Sequence, residues 1–449
     1  MSSMKKKSVI IIGALGMDFH VFNTVFRDNE EYNVIAFTIA GEQNVGTTEN
    51  AERKYPSELA GVLYPNGIPM VPETELISMI KKHNVDEVVF AYSDVSHEEV
   101  MHKASRTLAA GANYRLISKR FTMIKAKKPV VAICAVRTGC GKSQVSRATY
   151  RYLKSKGHRV VAIREPMPYG DLVEQEVMRF ATYEDLDKYK CTIEEREEYE
   201  PYIEQGLVIY SGVDYEKIVR EAEKEADVIV FDGGNNEISF YVPDLQFVVV
   251  DPLRPGHEMK YHPGEVNARL ADAFVINKMN SAKPENVAIV DKNLDELNPK
   301  AMRIYTDSVV TVDNVKEIKG KRAIVVEDGP TLTHGNMAYG AGYIAAKNND
   351  VTIVDPKPHI VGTMKKVFEE FPQITEIVPA MGYNDEQIRD MQTTLNNIDA
   401  DIIIDGSPID LAKLVKVNKP IYRVYYDIES IQSPSIEDAL DKFIAKHLN

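Results

Sequence analysis

The chain has 449 residues, too many for a single hydrophobic core, so we expect two or three domains. Its formal net charge of −13 argues against a nucleic-acid partner, because no broad basic face can form, and no apolar stretch is long enough to span a membrane. Its three cysteines, Cys134, Cys140 and Cys191, have the spacing of neither a disulfide framework nor a zinc site. We therefore expect a cytoplasmic protein.

Short apolar, β-branched runs alternate with helical patterns from one end of the chain to the other. This alternation is typical of α/β folds with parallel sheets. The runs are apolar throughout, as expected when helices cover both faces of a sheet. The predicted strands are 8–12, 34–38, 87–92, 130–136, 160–164, 227–232, 247–251, 273–277, 323–327, 351–354, 401–404 and 420–425.

These elements group into three predicted domains. Residues 1–126 form an N-terminal Rossmann-like α/β domain, residues 127–320 a P-loop NTPase domain, and residues 321–449 a C-terminal α/β domain. The segment 125–129, Lys-Ala-Lys-Lys-Pro, has the composition of a linker between the first two. The expected fold is thus multidomain α/β, with a central P-loop parallel sheet flanked by Rossmann-like modules on both sides.

The strand at 130–136 runs directly into a glycine-rich loop that a helical pattern follows. Glycines allow the backbone N–H groups to wrap round a phosphate, and the helix N-terminus adds partial positive charge. Lys142 is expected to reach the β- and γ-phosphates, while the Ser143 hydroxyl binds Mg²⁺. The predicted nucleotide-binding residues here are Thr138, Gly139, Cys140, Gly141, Lys142, Ser143 and Gln144.

The loop departs from the common P-loop pattern, because Val136 stands where that pattern has glycine. Arg137 lies five residues before Lys142, in an Arg-Thr-Gly-x-Gly-Lys-Ser arrangement. This resembles the variant loop of the ATPases that partition plasmids and place division sites, in which a basic residue here reaches a nucleotide phosphate. We expect Arg137 to be catalytic together with Lys142.

A second acidic strand end is needed to hold the magnesium shell. The strand at 227–232 ends at Asp232, and Gly233 and Gly234 leave room for phosphates. We expect Asp232 to serve catalysis and, with Ser143, to hold Mg²⁺; the alternative is an aspartate that only caps the next turn.

The strand at 273–277 ends in Asn277-Lys278-Met279-Asn280, which resembles the guanine-reading Asn-Lys-x-Asp motif of GTPases. Asn277 and Lys278 are expected to line the base pocket. The alternative is that they only form an ordinary polar strand end, which would have the same kinds of residue. Asn280 has a neutral amide in place of the carboxylate that accepts two hydrogen bonds from guanine. We therefore expect ATP to bind at least as well as GTP.

Basic residues follow several predicted strands, at sheet edges where ligands of open α/β sheets bind. Arg164 ends the strand after the P-loop helix and is expected to be catalytic. A local cationic cluster could hold a small anionic substrate despite the negative net charge. The alternative is turn-stabilising ion pairs with Glu165 and Glu258. The predicted substrate-binding residues are Arg254, His257, Lys260 and His334.

Two further segments carry helix signals. The acidic stretch 192–200 begins with a capping-box pattern and predicts a solvated helix. Residues 337–346, rich in small side chains, predict a helix after the Gly/Thr-rich turn of the C-terminal domain. The Gly13–Gly16 turn is only Gly-x-x-Gly, which is too weak a signal to establish a nucleotide site.

Taken together, the segments 13–20, 135–143, 166–172, 192–201, 254–258 and 327–335 are distinctive. They resemble the family of predicted GTPases named as cyclic 2,3-diphosphoglycerate synthetase homologues, along essentially the whole chain. The resemblance implies ATP-driven closure of a phosphoanhydride within 2,3-bisphosphoglycerate, with release of ADP and phosphate.

The sequence thus predicts an enzyme that uses ATP or GTP, with Mg²⁺, to phosphorylate or activate a small anionic acid, and a homodimer or higher homo-oligomer. The chief alternative is a nucleotide switch or assembly NTPase that acts through dimerisation and partner binding. An NAD-dependent oxidoreductase is a weaker alternative, because the full glycine fingerprint is absent.

Overall fold

The computed structural model of the protein describes residues 5–14, 16–39, 53–165, 170–234, 237–333, 337–380 and 385–448. Contacts group the chain into two compact units. Unit 1 comprises Met1–Arg179, Val208–Tyr305 and Gln432–Asn449, and unit 2 comprises Phe180–Leu207 and Thr306–Ile431. The domain boundaries at 126 and 320 stay predictions. Within the described ranges, no helix is long and apolar enough to cross a membrane.

Unit 1 begins with a six-stranded sheet whose order is β3-β4-β2-β1-β5-β7. Its strands, with the short β6, are β1 (Lys7–Ile12), β2 (Tyr32–Ile39), β3 (Lys54–Tyr55), β4 (Ile68–Pro72), β5 (Glu87–Phe90), β6 (Val95–Ser96) and β7 (Asn113–Leu116). The helices are α1 (Met17–Val21), continued by a π-helical segment (Phe22–Phe26), α2 (Ser57–Ala60), α3 (Leu76–His83), α4 (His97–Ala110) and α5 (Lys119–Thr122).

Strand β1 is the centre of this sheet and is buried on both faces. Val9 and Ile11 belong to one hydrophobic cluster, whereas Ile10 and Ile12 belong to another. This explains why the run is apolar throughout and does not alternate. Strand β2 pairs with one edge of β1, and β5 pairs with the other edge, with β7 beyond it. The carboxyl ends of β1 and β5 therefore form the switch point where open α/β sheets bind ligands.

The second sheet of unit 1 has the parallel order β11-β9-β12-β8-β13-β15-β16. The strands from β8 onward are β8 (Val130–Ala135), β9 (Val160–Arg164), β10 (Met178–Phe180), β11 (Ile209–Ser211), β12 (Val228–Asp232), β13 (Leu245–Val250), β14 (Tyr261–His262), β15 (Ala273–Ile276) and β16 (Met302–Val312). The helices of this region in unit 1 are α6 (Lys142–Ser155), α9 (Tyr215–Glu225), α10 (Gly264–Leu270) and α11 (Pro284–Leu297), whereas α7 (Tyr183–Lys188) and α8 (Ile193–Ile203) belong to unit 2.

Unit 2 contains a mixed sheet. Strand β21 pairs antiparallel with β16 and parallel with β20, and β17 lies between β20 and the strands β18 and β19. The remaining strands are β17 (Arg322–Asp328), β18 (Thr352–Ile353), β19 (Val378–Ala380), β20 (Ile402–Gly406) and β21 (Ile421–Ser430). The remaining helices are α12 (Val315–Ile318), α13 (Gly329–Leu332), α14 (Ala341–Asn348), α15 (Met364–Glu370), α16 (Asp385–Asn397), α17 (Leu411–Leu414) and, in unit 1, α18 (Ile436–His447).

The α/β class is confirmed, and each predicted strand is present: β9 has the predicted ends, and the others have one or both ends shifted. The helix predicted at 192–200 exists as α8 and has the predicted capping box, formed by Thr192 and Glu195. Its description as solvated is wrong, because Glu195, Glu197 and Glu200 are buried. Glu200, for example, accepts a hydrogen bond from the backbone N–H of Asp410.

Helix α14 begins at Ala341, four residues later than predicted, because a buried carboxylate caps it. Glu327, at the end of β17, accepts hydrogen bonds from the N–H groups of Gly340, Gly342 and Tyr343. Burial nevertheless raises the pKa of Glu327 to about 8, since desolvation outweighs these three donors.

Candidate nucleotide-binding site

The P-loop leaves the carboxyl end of β8, a fully buried strand that lies between β12 and β13. Gly139 and Gly141 have φ values of +80° and +103°, which side chains rarely adopt. A Cβ at Gly141 would also lie 2.2 Å from Nδ2 of Asn277. Helix α6 begins directly after it, at Lys142. The strand, loop and helix therefore have the order that phosphate binding requires.

Asp232 is the centre of the first charged cluster and is fully buried at the end of β12. Lys142 Nζ lies 3.0 Å from Asp232 Oδ1, and Arg164 Nη1 lies 2.7 Å from Oδ2. The same Arg164 nitrogen donates to Ser143 Oγ at 3.4 Å. The structure thus brings together four residues that were predicted from three separate segments, and two cations contact the same carboxylate.

Asp251 is the centre of the second cluster, directly after β13. Its Oδ2 lies 2.8 Å from Lys278 Nζ and 3.1 Å from Arg254 Nη2. Burial acts to raise the pKa of Asp251, but the charges of Lys278 and Arg254 prevail and hold it below its ordinary value. This cluster also carries more positive than negative charge, which suits a polyanionic ligand in a protein whose net charge is −13.

Three side chains bind successive backbone carbonyls of the P-loop. Arg254 Nη2 donates to the carbonyl of Thr138 at 2.7 Å, and Lys278 Nζ donates to that of Gly139 at 2.6 Å. Asn277 Nδ2 donates to the carbonyl of Cys140 at 3.0 Å. Because C=O and N–H point in opposite directions in a trans peptide, the N–H groups that follow these carbonyls point away from the three side chains. This is the orientation that an anion-binding loop needs.

Arg137 is buried and surrounded by three partners. Its Nε lies 2.7 Å from Asp94 Oδ1, its guanidinium lies 3.7 Å from the centre of the Tyr261 ring, and Nη1 lies 3.0 Å from His257 Nδ1. Burial, followed by the charges of Arg137 and Arg254, lowers the pKa of His257 to about 4. His257 is therefore neutral near pH 7, and Nδ1 accepts from the guanidinium.

Asp94 and Glu165 are among the site residues that were not predicted from the sequence. Asp94 follows β5 of the first sheet with φ of +58° and is largely buried. Glu165 follows Arg164 and is 5% exposed, and its Oε1 would lie 1.9 Å from a Cβ at Gly16. Both lie beside the switch point of the first sheet. Their only signal in the sequence was a position after an apolar run.

The residues predicted to bind substrate have different surroundings. Arg254 contacts the P-loop and pairs with Asp251 instead of Glu258, and His257 contacts Arg137. Lys260 has an exposed side chain, while its backbone carbonyl accepts from the N–H of His97. His334 lies outside the described residues, as does the turn at 166–169.

The oxygen ligands that Ser143 and Asp232 offer fit a magnesium ion. The Ser143 hydroxyl and the Asp232 carboxylate both offer oxygen, which Mg²⁺ prefers, and such a site takes its other ligands from phosphates and water. Over the described part of the chain, no group of three or more His, Cys, Asp or Glu could hold a metal ion.

No family model matches the chain. It is 55% identical over 444 residues to arginine synthetase ArcE of Thermococcus kodakarensis, covering 99% of this chain and 98% of that protein. It is 22% identical over 300 residues to the cyclic 2,3-diphosphoglycerate synthetase of the same organism, covering 60% of this chain and 66% of that protein. Both relatives are synthetases, and this chain is accordingly an enzyme; neither relative supports the GTPase name.

The solved structures to which the chain is similar include LpxK of Aquifex aeolicus in complex with ATP, with a TM-score of 0.42 and 14% identity over 73% of this chain and 91% of that one. A ParA family ATPase of Chlorobium tepidum has a TM-score of 0.25 and 14% identity over 40% of this chain and 84% of that one. Neither similarity is high enough to transfer a function.

Proposed function

The chain belongs to the family of arginine synthetase ArcE, and we propose that it makes arginine in a reaction driven by ATP. The observation that carries the proposal is the 55% identity to that enzyme, which extends over almost the whole of both chains. The P-loop, with Lys142, Arg164 and Asp232 in contact, supports phosphoryl transfer as the source of energy.

The chemistry of a P-loop restricts the acceptor. Such a site transfers a phosphoryl group to an oxygen, whereas the guanidinium carbon of arginine carries only nitrogen. The amino acid that has oxygen in place of one of these nitrogens is citrulline, with its ureido group. Phosphorylation of the ureido oxygen creates a leaving group, which ammonia then displaces. The proposed substrates are ATP, citrulline and ammonia, and the products are arginine, ADP and phosphate.

Each described side chain then has a role. Ser143 and Asp232 would hold Mg²⁺, which neutralises phosphate charge when it is bound. Lys142 and Arg164 stabilise the transferred phosphoryl, since both already converge on Asp232. Arg137 adds a further charge beside the loop. The residues from Thr138 to Gln144 bind the nucleotide, and Asn277, Lys278 and Arg254 hold the loop in shape.

ATP is the proposed nucleotide. Asn277 and Lys278, the residues that resemble the guanine motif, contact the P-loop backbone, and Asn280 has no carboxylate and is exposed. Cyclisation of 2,3-bisphosphoglycerate stays the second candidate, favoured by the similarity to the enzyme with that activity and by the cationic side chains of Arg137 and Arg254 beside the P-loop.

A single assay separates these candidates. The purified protein is supplied with Mg²⁺ and either ATP or GTP, together with citrulline and ammonium or with 2,3-bisphosphoglycerate. We expect arginine and ADP to form in equal amounts, measured by mass spectrometry, only from ATP with citrulline and ammonium. The Lys142→Ala variant is the control for contaminating activity. Nucleotide turnover that needs 2,3-bisphosphoglycerate and yields no arginine would refute the proposal in favour of the second candidate.

A further inference from the structure

The Tyr261 ring lies against the buried guanidinium of Arg137, whose side chain is 9% exposed. The guanidinium carbon lies 3.7 Å from the centre of the ring, while Asp94 contacts Nε and His257 contacts Nη1. The planar group is therefore held at one face and at two positions on its edge, which restrains both its tilt and its rotation. Nη2 is the nitrogen that neither Asp94 nor His257 contacts.

The guanidinium of Arg137 binds the same carboxylate as the first backbone N–H of the P-loop. Asp94 Oδ1 accepts from Arg137 Nε at 2.7 Å, and Asp94 Oδ2 accepts from the N–H of Thr138 at 3.4 Å. One anionic group thus reaches both donors. A phosphate that binds the N–H groups of this loop therefore comes close to the guanidinium, which is the cation nearest to the start of the loop.

A two-stranded antiparallel ribbon sets the position of Tyr261. Strand β14 pairs with β6 so that Tyr261 lies opposite Ser96. Strand β6 directly follows Asp94 in the chain. The side chains that hold Arg137 at its face and at its Nε edge are thus carried by two paired segments of backbone, and this pairing restrains the distance between them.

The turn that carries His257 is anchored by a separate set of contacts. Glu258 is fully buried, and its carboxylate accepts from the N–H of Gly256 at 3.0 Å and from Asn293 Nδ2 at 2.6 Å. The centre of the His257 ring lies 4.8 Å from that of Tyr261. Because the pKa of His257 is lowered to about 4, the ring is neutral near pH 7 and accepts from the guanidinium without repelling it.

We propose that Tyr261 is a positioning residue: it holds the guanidinium of Arg137 so that Nη2 meets the phosphoryl group in transfer, an inference that rests on the proposed synthesis of arginine. In that step the bond between the γ-phosphorus and the β–γ bridging oxygen breaks, and its electron pair leaves with ADP. The ureido oxygen of citrulline forms the new P–O bond, and no proton moves. A donor that is already in place stabilises the developing charge without a cost of orientation, so it contributes more to the rate than a mobile arginine does.

The test compares Tyr261→Leu with Tyr261→Phe in the full-length enzyme. Leucine removes the ring, so we expect kcat for arginine formation to fall about tenfold, while the KM values for citrulline and ammonium stay within about twofold. Phenylalanine keeps the ring and should restore most of the lost rate. Tyr32→Leu is the matched control, since the Tyr32 ring lies 5.8 Å from the guanidinium carbon of Arg115 at the amino end of β2; its kcat should equal that of the wild type.

A second measurement separates positioning from a general structural effect. Arg137→Ala should itself lower kcat roughly 10²-fold, and adding Tyr261→Leu to that variant should change kcat by less than about twofold, because no guanidinium is left to hold. A tenfold loss in both backgrounds, or a kcat of Tyr261→Leu equal to that of the wild type, would overturn the inference. If the wild-type enzyme forms no arginine, the proposed function is wrong and the inference falls with it.

Discussion

Replacing Asp232 by Asn tests the charge arrangement of the site most directly. The carboxylate is fully buried and is shared by Lys142 and Arg164, so the neutral amide takes away the negative charge that both of these nearly buried cations contact. Removal of one partner from a buried ion pair costs about 3–5 kcal/mol. Asp227 supplies a matched control at the other end of the same strand, where it pairs at the surface with Arg159. Asp227→Asn should cost less than about 1 kcal/mol.

The assay for this prediction is thermal unfolding of both variants with and without ATP. A cost of about 3 kcal/mol lowers Tm by several degrees in a protein of this size, which is far more than the fall in Tm expected for Asp227→Asn. Phosphates that contact Lys142 and Arg164 supply negative charge in place of Asp232. Saturating ATP should therefore reduce the difference in Tm between Asp232→Asn and the wild type. Turnover should still fall by about 10²-fold or more, because a magnesium ligand is lost. Equal melting temperatures for the two variants, or an unchanged magnesium requirement of Asp232→Asn, would refute the reasoning.

Three further predictions concern other parts of the protein. Lys142→Ala should abolish nucleotide turnover and leave the circular dichroism spectrum unchanged; undiminished turnover in the folded variant would disprove the P-loop assignment. Asp94→Ala removes the ion-pair partner that holds Arg137 beside the P-loop, so calorimetry should show ATP binding weakened about tenfold. An unchanged affinity for ATP would show that the Arg137–Asp94 contact does not contribute to nucleotide binding. The pKa of Glu327 is raised to about 8, so the folded protein keeps a proton that the unfolded chain loses near pH 4.5. Stability should therefore fall between about pH 4.5 and 8, at up to about 1.4 kcal/mol per pH unit, and Glu327→Gln should flatten the curve of Tm against pH; parallel curves would contradict this.

Local patterns predicted the strands and the P-loop because apolar runs and glycine spacing are properties of a short segment. Strand β16 was missed, since Arg303 and Asp307 interrupt its apolar residues and only part of it is buried. The direction of a side chain requires the tertiary structure. The sequence therefore did not indicate that Asn277 and Lys278 contact P-loop carbonyls, as the structure shows; their place beside the nucleotide base stays a prediction. Asp94 reaches Arg137 from the first sheet, across 43 residues of sequence, and no local pattern could indicate that pair.

The three side chains that bind the P-loop carbonyls have a consequence for affinity. Arg254 follows β13, while Asn277 and Lys278 follow β15, so the ends of two rigid strands set the conformation of the loop. The conformational entropy of these residues is lost when the chain folds and not when the ligand arrives. Little of the energy of the phosphate contacts is therefore spent on ordering the loop, and most of it contributes to affinity. ADP contacts the same N–H groups and should be bound nearly as tightly as ATP. Release of ADP then becomes a candidate for the slowest step of the cycle.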